Sequence, residues 1–544
     1  MQLPRWLLIL ILALIPLAFL INLGLQPFID DEGNRATVAL EMIWSGNFIT
    51  PTLHGDYYYN KPPLWNWILA LSMWVHGYAS EWTARFPAVL ALFGFAATVF
   101  YYCRKHFSLE RSALAAFIFL TSGRIIFWES LLGLIDLAFS WAIFTIIMVF
   151  YHESEEKRWG RMFLFTYLLM AIGFLFKGLP AIAFQGLTLL LTLQFRKAWR
   201  QLFSLSHVGS GLLAVGIIAA YYAVYNQYHS LETVFQVLFV ESGKRTAVAY
   251  GWWDTVKHML SFPLELFYHF LPWTAFVLLL FNKNYRQQAW ASSFVRYCLY
   301  ALGINIIIYW LSPNFYPRYI LMLLPLGLIA LVQMIPDREQ DKNKLYKAIE
   351  ILFGIVLFGI VVISAGTAVV EATQTVTYRW LKAISVALFI LFLLFQYYRS
   401  AQSRWFYVVA AILVFRIGFD MMALPPRTST SSIGQGVKTS AIELAERWQS
   451  KQLLVFAETQ MEPTSSFYLQ NRLQRMVPRR KVDELTTEEH YLFSPDQYDR
   501  TLFHTPIDSM KVRHSISPYY YVARLKTTDP EEIKERTLRP PAGF

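Results

Sequence analysis

The feature that most limits what this chain can become is a series of apolar runs about twenty residues long, the length needed to cross a hydrocarbon core of about 30 Å. The first, Trp6 to Leu23, follows the single basic residue Arg5 and has no small-residue cleavage site directly after it, so it reads as a retained signal anchor. Further runs centre near residues 94, 119, 142, 169, 187, 216, 272, 302, 327, 357, 388 and 414, which predicts about thirteen transmembrane helices. Composition agrees, with 56% of the 544 residues hydrophobic and 16% charged, against roughly 45–50% and 25% in a soluble domain. The expected fold is mainly α and polytopic. The two cysteines, Cys103 and Cys298, are too few for a disulfide framework and lack the paired spacing of a zinc site.

The formal net charge of +11 would suggest nucleic acid in a soluble protein, but the basic residues gather in alternate short loops. Arg104, Lys105 and Arg111 form one such group, Lys157, Arg158 and Arg161 a second, and Arg196, Lys197 and Arg200 a third. The positive-inside rule makes these loops cytoplasmic, places the N-terminus inside, and removes nucleic acid as a partner. An odd number of spans then puts the C-terminal part outside, which is periplasmic in the inner membrane of a Gram-negative bacterium.

On this count residues 1–423 form the membrane domain, with two long external loops, 24–81 and 227–261. In the first loop a helix is expected from Asp30 or Asp31 to about Ser45, stopped by Gly46. Val38, Met42, Ile43 and Trp44 give it an apolar side, which predicts that it lies on the membrane interface. Residues 424–528 read as a small α/β domain, with helices over Ile442 to Trp448 and Ser465 to Leu473 and strands at Leu453 to Ala457 and Tyr519 to Ala523. The charged stretch 529–544 is expected to be a disordered tail.

A charge beside an apolar span costs several kcal/mol unless it is paired, hydrated or used. Asp31 and Glu32, with Asp30, follow the first span; Lys61 precedes the second; Asp136 opens the fourth; Lys177 joins the fifth and sixth. Glu241 and Arg245 lie in the second long loop, and Arg318 sits beside Tyr319. Each alone reads equally well as a paired interfacial anchor. Together they bring acids and bases from separate loops to one membrane face, a set that can hold an acidic base beside a cationic clamp for a phosphate. Aromatic residues crowd the same loops, Tyr58 and Tyr59 among them; most of the group fits an interfacial belt, and a minority can stack on a sugar ring or an isoprenoid chain. No glycine-rich nucleotide cradle occurs in a strand–helix context, so a lipid-linked donor is favoured. Asp31, Glu32 and Asp136 are also candidate oxygen ligands for Mg²⁺ or Mn²⁺.

Asp31-Glu32-Gly33-Asn34-Arg35-Ala36, Glu41-Met42, Asn60-Lys61-Pro62-Pro63-Leu64, Asp136-Leu137, Lys177-Gly178 and Pro317-Arg318-Tyr319-Ile320-Leu321 occur in order on the predicted external side. With them the chain resembles the bacterial aminoarabinose transferases of lipid A, which share the GT-C type of integral membrane glycosyltransferase with the protein O-mannosyltransferases. The resemblance implies a polyprenyl-phosphate-linked sugar donor, a lipid or protein acceptor, and transfer on the periplasmic face of the inner membrane. It matches Asp31 to the family's catalytic acidic position, and Glu32 and Asp136 join it as catalytic candidates from the charge pattern. It matches Lys61 to a position that binds the donor phosphate and Tyr319 to a segment that closes over it; Arg245, from its place in the second long loop, and Lys177 and Arg318, from the charge pattern, are further phosphate candidates, and Tyr58, Tyr59, Asn60 and Glu241 are candidates for substrate contacts. Two departures matter. The aminoarabinose branch carries zinc ligands at a Glu before Lys-Pro-Pro and a His after Glu, where this chain has Asn60 and Ser242. The zinc site is therefore not carried over. The alternatives are a transporter or flippase of a lipid-linked sugar, for which ionisable groups at span centres and repeat symmetry are expected, and a non-catalytic scaffold for the C-terminal domain.

Overall fold

The computed structural model describes residues 2–243, 251–336, 343–429, 432–513 and 516–538, with side chains in the first of these segments described to residue 240. Arg245 and the side chain of Glu241 lie outside the described residues. Among the described residues, eight helices are long and apolar enough to cross a membrane. A ninth span forms if Leu109–Leu120 and Gly123–Leu131, bent by 48°, count as one. The expected thirteen is not reproduced. The run near residue 272 forms a 3-10 segment, Trp273–Phe281, and Arg5–Leu20 and Leu324–Gln333 are short apolar helices. Apolar length alone overcounts where a run is wrapped by protein, because such a segment need not span the full hydrocarbon thickness.

Local chemistry sets the helix ends nearest the site. Helix Glu81–Arg104 starts at a reciprocal capping box, in which the Thr83 amide donates to the Ser80 hydroxyl and the Ser80 amide to Thr83 Oγ1. The first-loop helix runs Glu32–Ser45 and stops at Gly46, whose φ of 68° suits a residue without Cβ. Its predicted place on the membrane interface is not what the structure shows. Val38 and Met42 are buried and every residue from Arg35 to Met42 is enclosed, because the C-terminal helix Pro463–Leu473 packs along it.

The C-terminal part carries a five-stranded sheet in the order Arg479–Arg480, Leu454–Phe456, Tyr491–Phe493, Tyr519–Ala523, Asp508–Lys511. The first three strands are parallel and the last two antiparallel to their neighbours. Helix Ile433–Arg447 packs against Pro463–Leu473. The stretch from Asp529, expected as a disordered tail, instead forms the short helix Pro530–Glu535, which buries Ile533 against the strands. One apolar anchor in an otherwise charged segment is enough to dock it.

The domain meets the first loop through buried polar contacts. Gly33 is required there: a Cβ would lie 2.3 Å from the Pro463 carbonyl oxygen. The Tyr468 hydroxyl accepts from the Phe28 amide at 3.0 Å and donates to Glu81 at 2.7 Å. His54 donates from Nδ1 to the Val477 carbonyl at 2.9 Å, so its Nε2 accepts from the Ser466 hydroxyl at 2.8 Å. Burial first, and Arg479 second, push the His54 pKa down to about 4. The folded state therefore binds fewer protons than the unfolded one below pH 6.5, and His54 weakens this docking as pH falls from about 6.5 to 4, by up to about 1.4 kcal/mol per pH unit. Buried Glu41, its pKa raised by desolvation, works in the opposite direction. The expected result is that His54→Gln loses less stability than the parent between pH 6.5 and 4, measured by thermal unfolding of both proteins across that range.

Candidate active site

The predicted acids do different work. Asp31 stands at the N-terminus of the loop helix, its side chain 36% exposed. Its Oδ2 accepts from Arg35 Nε at 3.0 Å and Nη2 at 2.8 Å, and Oδ1 accepts from Asn34 at 3.0 Å. Arg35 is buried, one turn later on the same helix face, and also lies over the Tyr58 ring at 5.4 Å. These contacts fix the Asp31 carboxylate while leaving an edge open.

Glu32 does not face that space. Its oxygens accept from Arg85 at 2.8 and 3.0 Å, from the Gly133 amide at 2.7 Å and from the Ile29 amide at 3.0 Å. Arg85 also donates to the carbonyls of Leu23, Gln26 and Pro27. Both side chains are fully enclosed. Glu32, expected as catalytic, is instead the tie between the loop helix, helix Glu81–Arg104 and the turn before Asp136.

Asp136 begins helix Asp136–Glu155 and accepts from Lys177, the last residue of helix Trp159–Lys177. Arg318 Nε lies 3.7 Å from the other Asp136 oxygen, and Arg318 also pairs with Asp30. Asp30 holds a left-handed φ of 58°, tolerable for Asp, and its side chain accepts from the Asp31 amide at 3.0 Å. The Tyr319 ring covers Lys177 at 4.4 Å. Burial opposes the charge on Arg318, but Asp136 and Asp30 outweigh it and raise its pKa. The structure thus brings together Asp30, Asp31, Arg35, Asp136, Lys177, Arg318 and Tyr319, three carboxylates and three cations in which Lys177 and Arg318 flank Asp136.

Lys61 lines a small adjoining pocket with Tyr58, Tyr59, Pro62, Tyr222 and Leu238. Leu238 is also the side chain that a Cβ on Gly178 would touch, at 3.5 Å, so this pocket abuts the Lys177–Gly178 turn. The Tyr59 hydroxyl bonds His229 Nε2 at 2.7 Å. Asn60 sits between them, half-buried.

Reading the sequence by loops missed Arg35, Arg85 and His229. Arg35 had a signal, an Asp four residues before it on a predicted helix; Arg85 and His229 had none, because their partners lie far away in sequence. A charged pair also lies within a span. Arg416 and Asp420 form a fully buried ion pair in helix Arg404–Met422, and Arg416 donates to Ser130 at 2.9 Å. The i,i+4 spacing lets one helix neutralise itself.

Asp31, Glu32 and Asp136 do not converge on a common ligand position; each is engaged by cations.

A many-helix bundle with a mixed cluster of acids and bases at one end, together with a small α/β domain, defines a polytopic membrane protein of the GT-C architecture. Residues 60–225 match the family model described as dolichyl-phosphate-mannose-protein mannosyltransferase. The undecaprenyl phosphate-alpha-4-amino-4-deoxy-L-arabinose arabinosyl transferase of Edwardsiella ictaluri is 27% identical over 32% of this chain and 32% of its own. A second such transferase, from Pseudomonas fluorescens, is 24% identical over 60% of this chain and 59% of its own. The chain thus spans between about a third and three fifths of the length of these curated relatives. The crystal structure of ArnT from Cupriavidus metallidurans bound to undecaprenyl phosphate superimposes with a TM-score of 0.67 at 18% identity, over 96% of this chain and 98% of that one. The chain therefore shares the fold of that solved transferase, and its residues 60–225 are similar to the mannosyltransferase family model.

Proposed function

We propose that this protein moves a sugar from a polyprenyl-phosphate-linked donor to a lipid A-like lipid or a protein acceptor, on the periplasmic face of the bacterial inner membrane. The observation that carries the reading is the Lys177–Asp136–Arg318 arrangement beside the Asp31 carboxylate. As the bond between the sugar carbon and the phosphate oxygen breaks, its electron pair goes to the phosphate, and Lys177 and Arg318 stabilise the charge that develops. The acceptor oxygen forms the new bond to that carbon, and Asp31 takes the acceptor's proton. Lys61 and Tyr319 border the donor position. Asp136 keeps the two cations in place before the donor arrives, so that little reorganisation remains at the moment of transfer.

The test is a reconstituted reaction. Purified protein in proteoliposomes is given polyprenyl-phosphate-linked pentose or hexose donors with lipid A or protein acceptors, and products are read by mass spectrometry. A covalent sugar adduct on one acceptor class is expected. Movement of the intact lipid-linked sugar across the bilayer, without any adduct, would replace the enzyme by a flippase.

A further inference from the structure

We propose that His106, His152 and Glu155 form a binding site for a divalent transition-metal ion, with zinc(II) the best match to its donors. The site lies at the end of helix Asp136–Glu155 opposite Asp136, about 24 Å away at the helical rise, and so is separate from the transfer site. His106 belongs to the turn that links helices Glu81–Arg104 and Leu109–Leu120. His152 and Glu155 are three residues apart on one helix, which puts them on the same face.

Three observations carry the assignment. One ligand atom from each of the three residues lies within 4.8 Å of the other two. Nε2 of His106 and of His152 is inaccessible and has no hydrogen-bond partner, and His152 is only 4% exposed. A buried ring nitrogen without a partner is costly, and a metal ion satisfies an imidazole lone pair directly. Glu155 Oε1 accepts from the Tyr151 hydroxyl at 3.0 Å, which orients the carboxylate as an outer partner does around a metal.

A cavity of about 390 Å³ opens beside His152, walled by Tyr102, Lys105, Glu153 and Arg161. It gives an ion an approach to the His152 ring from one side. Tetrahedral zinc places two imidazole nitrogens roughly 3.3 Å apart, so the rings close slightly on binding. Lys105 and Arg196 oppose a cation here, and Glu153 and Glu155 offset them. The competing account is that Tyr102, His152, His106 and Phe294 are simply a stack of rings, with 4.9 Å between the two imidazole centroids. A bound ion would pin the 105–108 turn to helix Asp136–Glu155 and so brace this end of the bundle.

The test uses the full-length protein in detergent, without a polyhistidine tag, stripped with chelator and titrated with zinc chloride. The parent is expected to take up one zinc per chain with a rise in melting temperature, and His152→Ala to lose both. Glu155→Gln is expected to lose them too, and because this side chain is 37% exposed it keeps the test open if His152→Ala does not fold. No uptake by the parent, or equal uptake and equal thermal shift in the parent and Glu155→Gln, overturns the site and leaves the stacked rings as packing alone.

Discussion

Glu32→Ala is expected to destabilise the protein by about 3–5 kcal/mol, the cost of leaving a buried charge without its partner. The charge left behind is Arg85, whose side chain is 1% exposed. Its remaining contacts are the carbonyls of Leu23, Gln26 and Pro27 and the Phe28 ring at 5.5 Å, none of which carries a full charge, and Glu81 acts on it without an ion pair. The Gly133 and Ile29 amides lose their acceptor in the same step, so the variant loses the N-terminus of the loop helix and the turn leading to Asp136 together. The check is a melting curve of purified Glu32→Ala beside the parent, with Glu32→Gln as the isosteric control. A parental melting temperature for the alanine variant would show that Arg85 is satisfied without Glu32, by the three carbonyls, the Phe28 ring and the field of Glu81.

Asp31→Asn is expected to do the reverse, lowering transfer by about 10²–10⁴-fold, the usual contribution of a positioned general base, while the protein stays folded. Arg35 loses its carboxylate but keeps the Tyr58 face at 5.4 Å and the field of Asp136. The amide oxygen of the new side chain still accepts a hydrogen bond. What disappears is the capacity to take a proton. Initial rates at saturating donor, together with a melting curve, decide it. A variant with parental turnover would move the base to Asp30 or Asp136.

The contrast between these neighbours marks how far the sequence can be read. Two acids side by side after an apolar run look equivalent, yet at a helix start successive side chains point about 100° apart, so one faces the open cluster and the other the core. The partner that settles Glu32, Arg85, stands 53 residues away, beyond any local pattern. The loop helix shows the same division. Its limits were legible because Asp31 and Gly46 carry their own conformational chemistry, but its burial was not, because the surface that covers it belongs to a helix that starts at Pro463. Lys177, Arg318 and Tyr319 were legible as a group because a cation beside an apolar span needs a reason; that Asp136 sits between the two cations is a fact of packing.

The seam between the first loop and the C-terminal domain also bears on how a newly made molecule comes to life. Thr464 and Phe28, which meet at this seam, are 436 residues apart in the chain, so translation at about 5–20 residues per second separates them by roughly 20–90 s. Throughout that interval the nascent polypeptide already displays Asp31 and Arg35 but lacks the helix that holds their backbone still. Ribosomal direction thereby orders assembly: the helix that packs along Glu32–Ser45 is made only with the last part of the chain, and a prematurely terminated product would leave that loop helix uncovered.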